Sequence, residues 1–305
     1  MKLNTLQHGA LSATLTALVI QGVCVGLLAP FLPRELCRPG VHSTRILKFP
    51  AAKSLEIDNA DGEVYVTTVP GDTIEVRAEV QVYGDSEKTG ELDAFQKTLI
   101  QATEADSVLR LNTESVDRPD SVELLVDYTV TVPPRTNLRI RGNSGNVRIG
   151  ENCGDVAIEG NNRDIHISRP QGSVQAKSMN GRIQVYDAQG RTDLETVNGK
   201  IYVHMQGGAL SAKTTNGNIV ASLLDDDIGS CDLNSLNGGI TLVLSERSSA
   251  NVNAATARGV IRCDVAVDHS QGKFRRRVLN GRIGAGQTQL VMNSMNGNIW
   301  IARSN

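Results

Sequence analysis

Downstream of residue 138, apolar and polar residues alternate in short runs, and the runs recur at a fixed interval. Val174-Ala176-Ser178 and Leu210-Ala212-Thr214 share one phase, and the residues between them, such as Lys177 and Lys213, are mostly polar. A period of two is that of a strand with one face on a core and the other in water.

Aligning the runs on a recurrent glycine position gives Gly145, Arg163, Gly181, Gly199, Gly217, Gly238, Gly259, Gly281 and Gly297, at spacings of 18, 18, 18, 18, 21, 21, 22 and 16 residues. Arg163 stands where the others have glycine, without loss of register. Asn162, Asn180, Asn198, Asn216, Asn237, Asn280 and Asn296 precede it. Two residues after it stand Val147, Ile165, Ile183, Ile201, Ile219, Ile240, Ile261, Ile283 and Ile299, all β-branched.

Asn-Gly predicts a corner, because both residues tolerate positive φ. The predicted turn residues are Asn180-Gly181, Asn198-Gly199, Asn216-Gly217, Asn237-Gly238, Asn280-Gly281 and Asn296-Gly297. A second glycine follows about nine residues on, at Gly154, Gly172, Gly190 and Gly208. Each unit is therefore two short strands and two corners. Hairpins in a sandwich could use such units, but identical residues at constant phase favour a β-solenoid, in which like stacks on like. Asparagines would then form a ladder up the stack. At about 4.8 Å per coil, eight steps make a rod on the order of 40 Å long.

The template appears once more in "LEIDNADGEVYV", with Leu55, Ile57, Asn59, Gly62, Val64 and Val66 in phase. An insert interrupts it. Strands are predicted over 72–82, 107–112 and 122–132, and an amphipathic helix over 91–104 with Leu92, Phe95 and Leu99 on one face. The insert reads as a lid over the open edge of the first coil. In "GKFRRRVLNG" the inward series would include Arg276, so a bulge turning it to solvent is expected.

Ahead of the fold, residues 10–32 carry no charge and are long enough to span a bilayer as a helix. The organisation expected is an anchor over 1–32, a linker over 33–53, the first coil with its capping insert over 54–137, and solenoid repeats over 138–305. The expected fold class is all-β: a single-stranded β-solenoid with one N-terminal transmembrane helix and a short α/β insert. Lys2 precedes the span whereas Arg34, Arg38, Arg45 and Lys48 follow it, which on the positive-inside rule alone keeps the large domain cytoplasmic.

"VDYTVTVPPRTNLRIRGNSGNVRIG" at 126–150, followed by recurrent NG-x-I units, resembles the bacterial putative-adhesin family of β-strand repeats, over about 55–305. The resemblance implies a β-helical extracytoplasmic domain, attached to a membrane segment in many members. It supplies no catalytic residues to carry over. The charge pattern around the span departs from that of an exported domain.

Composition adds little chemistry. With 31 basic against 33 acidic residues and no basic stripe, nothing points to nucleic acid. Aromatics are only 3%, so the core must be aliphatic. Cys24, Cys37, Cys153, Cys231 and Cys263 lack metal-ligand spacing and read as buried or free thiols. His8, His42, His166, His204 and His269 share no ligand or triad spacing, and Asp225–Asp227 reads as a solvated turn. No catalytic residue, metal or cofactor is expected. Tyr186, Tyr202 and Trp300, scarce aromatics at outward phases, are the candidate surface contacts.

The expectation is thus a single-pass, membrane-attached, non-enzymatic adhesin-like module, its large domain outside the cytoplasm, binding a protein or a cell-envelope glycan. The alternatives are a scaffold self-associating through its C-terminal coil, where Trp300 would sit uncapped, and a polysaccharide-active β-helix enzyme.

Overall fold

The computed structural model describes residues 18–20, 40–83, 100–113, 123–224, 228–268, 274–275 and 277–304. They form two 13-stranded sheets facing each other across an aliphatic core. The strands after the corners make one sheet, the front; those before the corners make the other, the back.

The coils stack in register. Val64, Val147, Ile165, Ile183, Ile201, Ile219, Ile240, Ile299 and Ile261 pair in that order as one buried column of the front sheet. In the back sheet Leu55, Leu138, Val156, Val174, Thr192 and Leu210 do the same. Parallel strands need crossover connections; here the crossover is the opposite sheet.

The asparagine ladder is present: Asn180, Asn198, Asn216, Asn237 and Asn296 each donate from Nδ2 to the Oδ1 of the asparagine one coil below, at 2.6–2.8 Å, ending on Asn162. A second ladder lies inside it. The hydroxyls of Ser178, Thr196, Thr214, Ser235, Ser294 and Thr256 donate to the carbonyls of Arg163, Gly181, Gly199, Gly217, Gly238 and Gly297, satisfying corner acceptors that stacking would otherwise bury.

The corner glycines are needed for a different reason from positive φ. Gly181, Gly199, Gly217, Gly238, Gly259 and Gly297 all have φ outside the left-handed region, but a Cβ on any of them would overlap the carbonyl of the corner residue one coil below. Close stacking, not turn geometry, excludes a side chain.

Several expectations are corrected. None of the described residues is helical, so no described helix is long and apolar enough to cross a membrane. Leu18–Ile20, in the middle of the predicted span, is a strand antiparallel to Thr44–Ile46; the rest of 10–32 lies outside the described residues. Gly40–Pro50, within the predicted linker, is an 11-residue strand paired along Thr73–Tyr83. The predicted helix gives way to Ile100–Ala105, a strand antiparallel to Val108–Thr113; residues 91–99, with Leu92, Phe95 and Leu99, fall outside the description. A two-residue hairpin turn, Asp106-Ser107 with both φ positive, folds 100–105 back on 108–113 and outweighs the helical pattern there. The insert otherwise extends both sheets below the first coil: Glu123–Val132 pairs parallel to Val64–Thr68, and Val108–Thr113 parallel to Ser54–Asp58.

The upper end departs from chain order. Asn280 and Gly281 are not a corner; they lie in Val278–Ile283, antiparallel to Ala250–Ala255. The coil carrying Thr288–Ser294 and Ile299–Arg303 is not the top of the stack. It sits between the coil of Ile228–Ser235 and Ile240–Leu244 and the coil of Ala250–Thr256 and Ile261–Cys263. Trp300 is therefore on an internal level. Arg276 and Asp225–Asp227 lie outside the described residues.

Arg163 is fully buried. In the column that holds Ser or Thr in later coils, the levels around it have Gly160 and Gly142, and the side chain occupies the space those glycines leave. Its Nη2 donates to the Asn59 carbonyl two coils below at 2.9 Å. Burial pulls its pKa down, and Asp61 opposes that shift.

Candidate functional site

The outer face of the front sheet carries the side chains that have chemistry to offer. One row, read along the stack, is Tyr65, Arg148, His166, Gln184, Tyr202, Val220, Thr241, Trp300 and Arg262. The neighbouring row holds Ser168, Tyr186 and His204.

A bulge gathers part of these rows into a patch. Val185 pairs with Val203 and Ala188 with Met205, so Tyr186 and Asp187 together face only His204. Asp187 takes φ of 57°, and Arg169, which follows the paired Ser168 one coil below, takes 43°, so this corner conformation recurs. The offset of one residue is absorbed at the next corner, where Gly207 and Gly208 stand in place of a single glycine and Gly208 adopts φ of 77°.

The bulge turns the Asp187 carboxylate onto His204 Nδ1 at 2.5 Å. Tyr186 lies against the His166 ring at 5.3 Å between centroids, and its hydroxyl accepts from Gln184 Nε2 at 3.1 Å. His166 Nε2 in turn contacts Ser168 Oγ at 3.1 Å. Tyr186 remains 39% exposed. Burial, and secondly the Arg148 guanidinium, hold His166 below the ordinary imidazole value.

The patch does not line up a catalytic triad. Ser168 has an imidazole beside it, but the patch's carboxylate orients the other imidazole, so nucleophile, base and orienting acid are not in line. A lowered pKa also makes His166 a weaker base. Among the described residues no group of three or more His, Cys, Asp or Glu could hold a metal ion.

Of the aromatics picked from sequence, Tyr186 and Tyr202 fall on adjacent coils, with Tyr202 directly beside Gln184. Trp300 lies three strands further along that row, roughly 14 Å away. It forms its own cluster: its Nε1 donates to Asp264 Oδ2 at 2.8 Å and Arg262 stacks over the ring at 5.5 Å. Two bonds, from Arg262 and then Trp300, hold the Asp264 carboxyl below the usual carboxylate range. Sequence reasoning named His166 and His204 but missed Asp187, because the Asp187–His204 contact depends on the bulge; the doubled Gly207-Gly208 was its visible signal.

The back face offers a different surface. A groove of about 690 Å³ runs across five coils, flanked by Glu195, Lys213 and Asn234 on one side and by Val197, Leu236 and Met295 on the other. The apolar side is a consequence of the repeat, since the residue between the hydroxyl and the asparagine points outward at every coil.

The fold and its outer surface define a class: a two-sheet parallel β-solenoid that presents side chains on rigid stacked strands. The chain belongs to the Toastrack DUF4097 family, whose sequence model matches residues 122–302. No curated protein matches it. Similar solved structures include a "putative adhesin" from Bacteroides fragilis NCTC 9343, 14% identical, covering 85% of this chain and 96% of that one with a TM-score of 0.44. Another "putative adhesin", from Parabacteroides distasonis ATCC 8503, is 10% identical and covers 86% and 97% with a TM-score of 0.38. A "putative lipid binding protein" from the same organism is 8% identical, covering 87% and 97%, with a TM-score of 0.35.

Proposed function

We propose that this adhesin-like solenoid is a non-enzymatic binding module of the cell envelope, displayed outside the cytoplasm. Its ligand is a neutral or basic glycan of that envelope, taken on the patch of His166, Gln184, Tyr186, Asp187, Tyr202 and His204. The observation that carries this reading is the bulge at Tyr186-Asp187. It breaks the one-to-one pairing of two adjacent front-sheet strands, aims the Asp187 carboxylate at His204, and does so beside the exposed Tyr186 and His166. Bulges recur beside functional sites, where they re-aim a side chain. A flat aromatic face beside amide, imidazole and carboxylate groups suits a sugar's apolar face and hydroxyl rim.

The test is binding of the full chain to an array of cell-envelope polysaccharides, followed by titration calorimetry on any hit. Tyr186→Ala should weaken binding at least tenfold while Trp300→Phe leaves it unchanged. Binding that survives Tyr186→Ala, Asp187→Ala and Tyr202→Ala unchanged refutes the assignment, as does release of cleaved products from the polysaccharide.

A further inference from the structure

The coil spanning Thr288–Arg303 fills a level that the rest of the chain leaves vacant. After Leu244 the segment 245–249 steps over two strand spacings, about 9.6 Å, before the next coil begins at Ala250. The late coil then enters the space between. In the back sheet it pairs with 230–235 on one edge and 250–256 on the other; in the front sheet with 240–244 and 261–263. Leu290, Met292, Ile299 and Ile301 are buried against both neighbours.

Both walls of this slot come from earlier segments, and each presents strand edges whose N–H and C=O groups the late coil satisfies. Between the upper antiparallel strand ending at Ile283 and the coil starting at Thr288 lie only residues 284–287, with Gly284 at φ of 57° and Gly286 at φ of 78°. Glycines reach an extended conformation as readily as this folded one. A short hinge joining an otherwise self-contained element is the arrangement from which identical elements exchange between protomers.

We propose that the slot is an interaction site for a second copy of this chain, whose residues 288–303 insert as the missing coil while the first copy's segment fills the partner's slot. Every edge bond and buried contact of the closed molecule is re-made, because donor and acceptor sequences are the same. Only the hinge changes conformation, and the exchanged form is favoured by protein concentration.

The experiment uses full-length chain carrying Val243→Cys and Ala302→Cys, outward-facing partners in adjacent registered strands whose spacing suits a disulfide. Two versions with different affinity tags are mixed, unfolded and refolded under reducing conditions over a concentration series, then sized and oxidised. The same mixture is also warmed below its unfolding midpoint, so that refolding yield does not decide the outcome. The expected result is a twofold mass shift rising with concentration, both tags in one particle, and a 243–302 disulfide joining two chains. Monomers alone at every concentration overturn the proposal. So do dimers whose 243–302 disulfide lies within one chain, since those associate by some other surface.

Discussion

Replacing Gly217 by alanine tests the claim that close stacking alone dictates the corner residue. An ideal Cβ there would stand 1.8 Å from the Gly199 carbonyl oxygen. Ordinary C···O approaches are about 3.3 Å or more, so the two coils must part locally by roughly 1.5 Å. Four bonds span that corner: Asn216 N to Val197 O at 2.7 Å, Thr215 N to Thr196 O at 3.3 Å, Thr214 Oγ1 to Gly199 O at 3.0 Å, and Asn216 Nδ2 to Asn198 Oδ1 at 2.7 Å. Parting by that amount breaks all of them. At about 0.5–1.5 kcal/mol each the loss is about 2–6 kcal/mol, a large part of the 5–15 kcal/mol typical of a folded domain. Two controls carry the same chemical change without the clash: Gly229, whose nearest neighbour would be 3.7 Å away, and Gly71, with nothing within 4 Å. Urea unfolding followed by circular dichroism should show Gly217→Ala destabilised by about 4 kcal/mol and both controls within about 0.5 kcal/mol of the parent. If Gly217→Ala unfolds with the controls, the stacking argument is wrong.

Deleting residues 182–199 removes one coil at matching phase and should leave a cooperative fold, whereas deleting 182–190 puts the wrong strand at every later corner; equal circular dichroism and melting of the two would contradict the register. Burial pushes the Cys153 thiol up to about 12 from 9.0 and Cys231 higher still, and raises Cys263 less. Native alkylation at pH 8, mapped by mass spectrometry, should therefore label Cys263 ahead of the other two, with Cys153 slowed about a thousandfold relative to unfolded chain; uniform labelling would count against it. His166 titrates below its unfolded value, so between that value, about 6.5, and its lower folded value the unfolded chain holds more protons. Stability should thus fall as pH drops through about 6.5, and His166→Gln should flatten that slope in thermal melts. An unchanged slope would assign the effect elsewhere.

The isoleucine column and the asparagine ladder could be read from sequence because a solenoid makes like residues touch at constant separation. The order of levels at the upper end could not. When every coil carries the same phase, the late coil fits between two earlier ones as well as on top of them, and only the irregular spacings of 22 and 16 residues hinted at it. Asn280-Gly281 shows the same degeneracy, a corner motif used inside an antiparallel strand. Periodicity also misread 100–104, since Ile100–Ala105 is a strand that turns back on Val108–Thr113 through Asp106 and Ser107, both at positive φ. For Arg163 the clue was compensatory: Gly142 and Gly160 are small where later coils carry a hydroxyl. The bulge at Asp187 was legible only as a doubled glycine one coil later.

The guanidinium of Arg163 has a mechanical meaning. Most neighbouring levels of the rod are joined by bonds reaching one step only, so an opening at one height need not disturb the next but one. Arg163 reaches from the third level through the second to the first, crossing Gly160 and Gly142 to the Asn59 carbonyl. Opening any one of those three levels breaks this bond, so the lowest three coils are expected to open together while higher levels open one by one. Amide exchange there should report a single shared opening event.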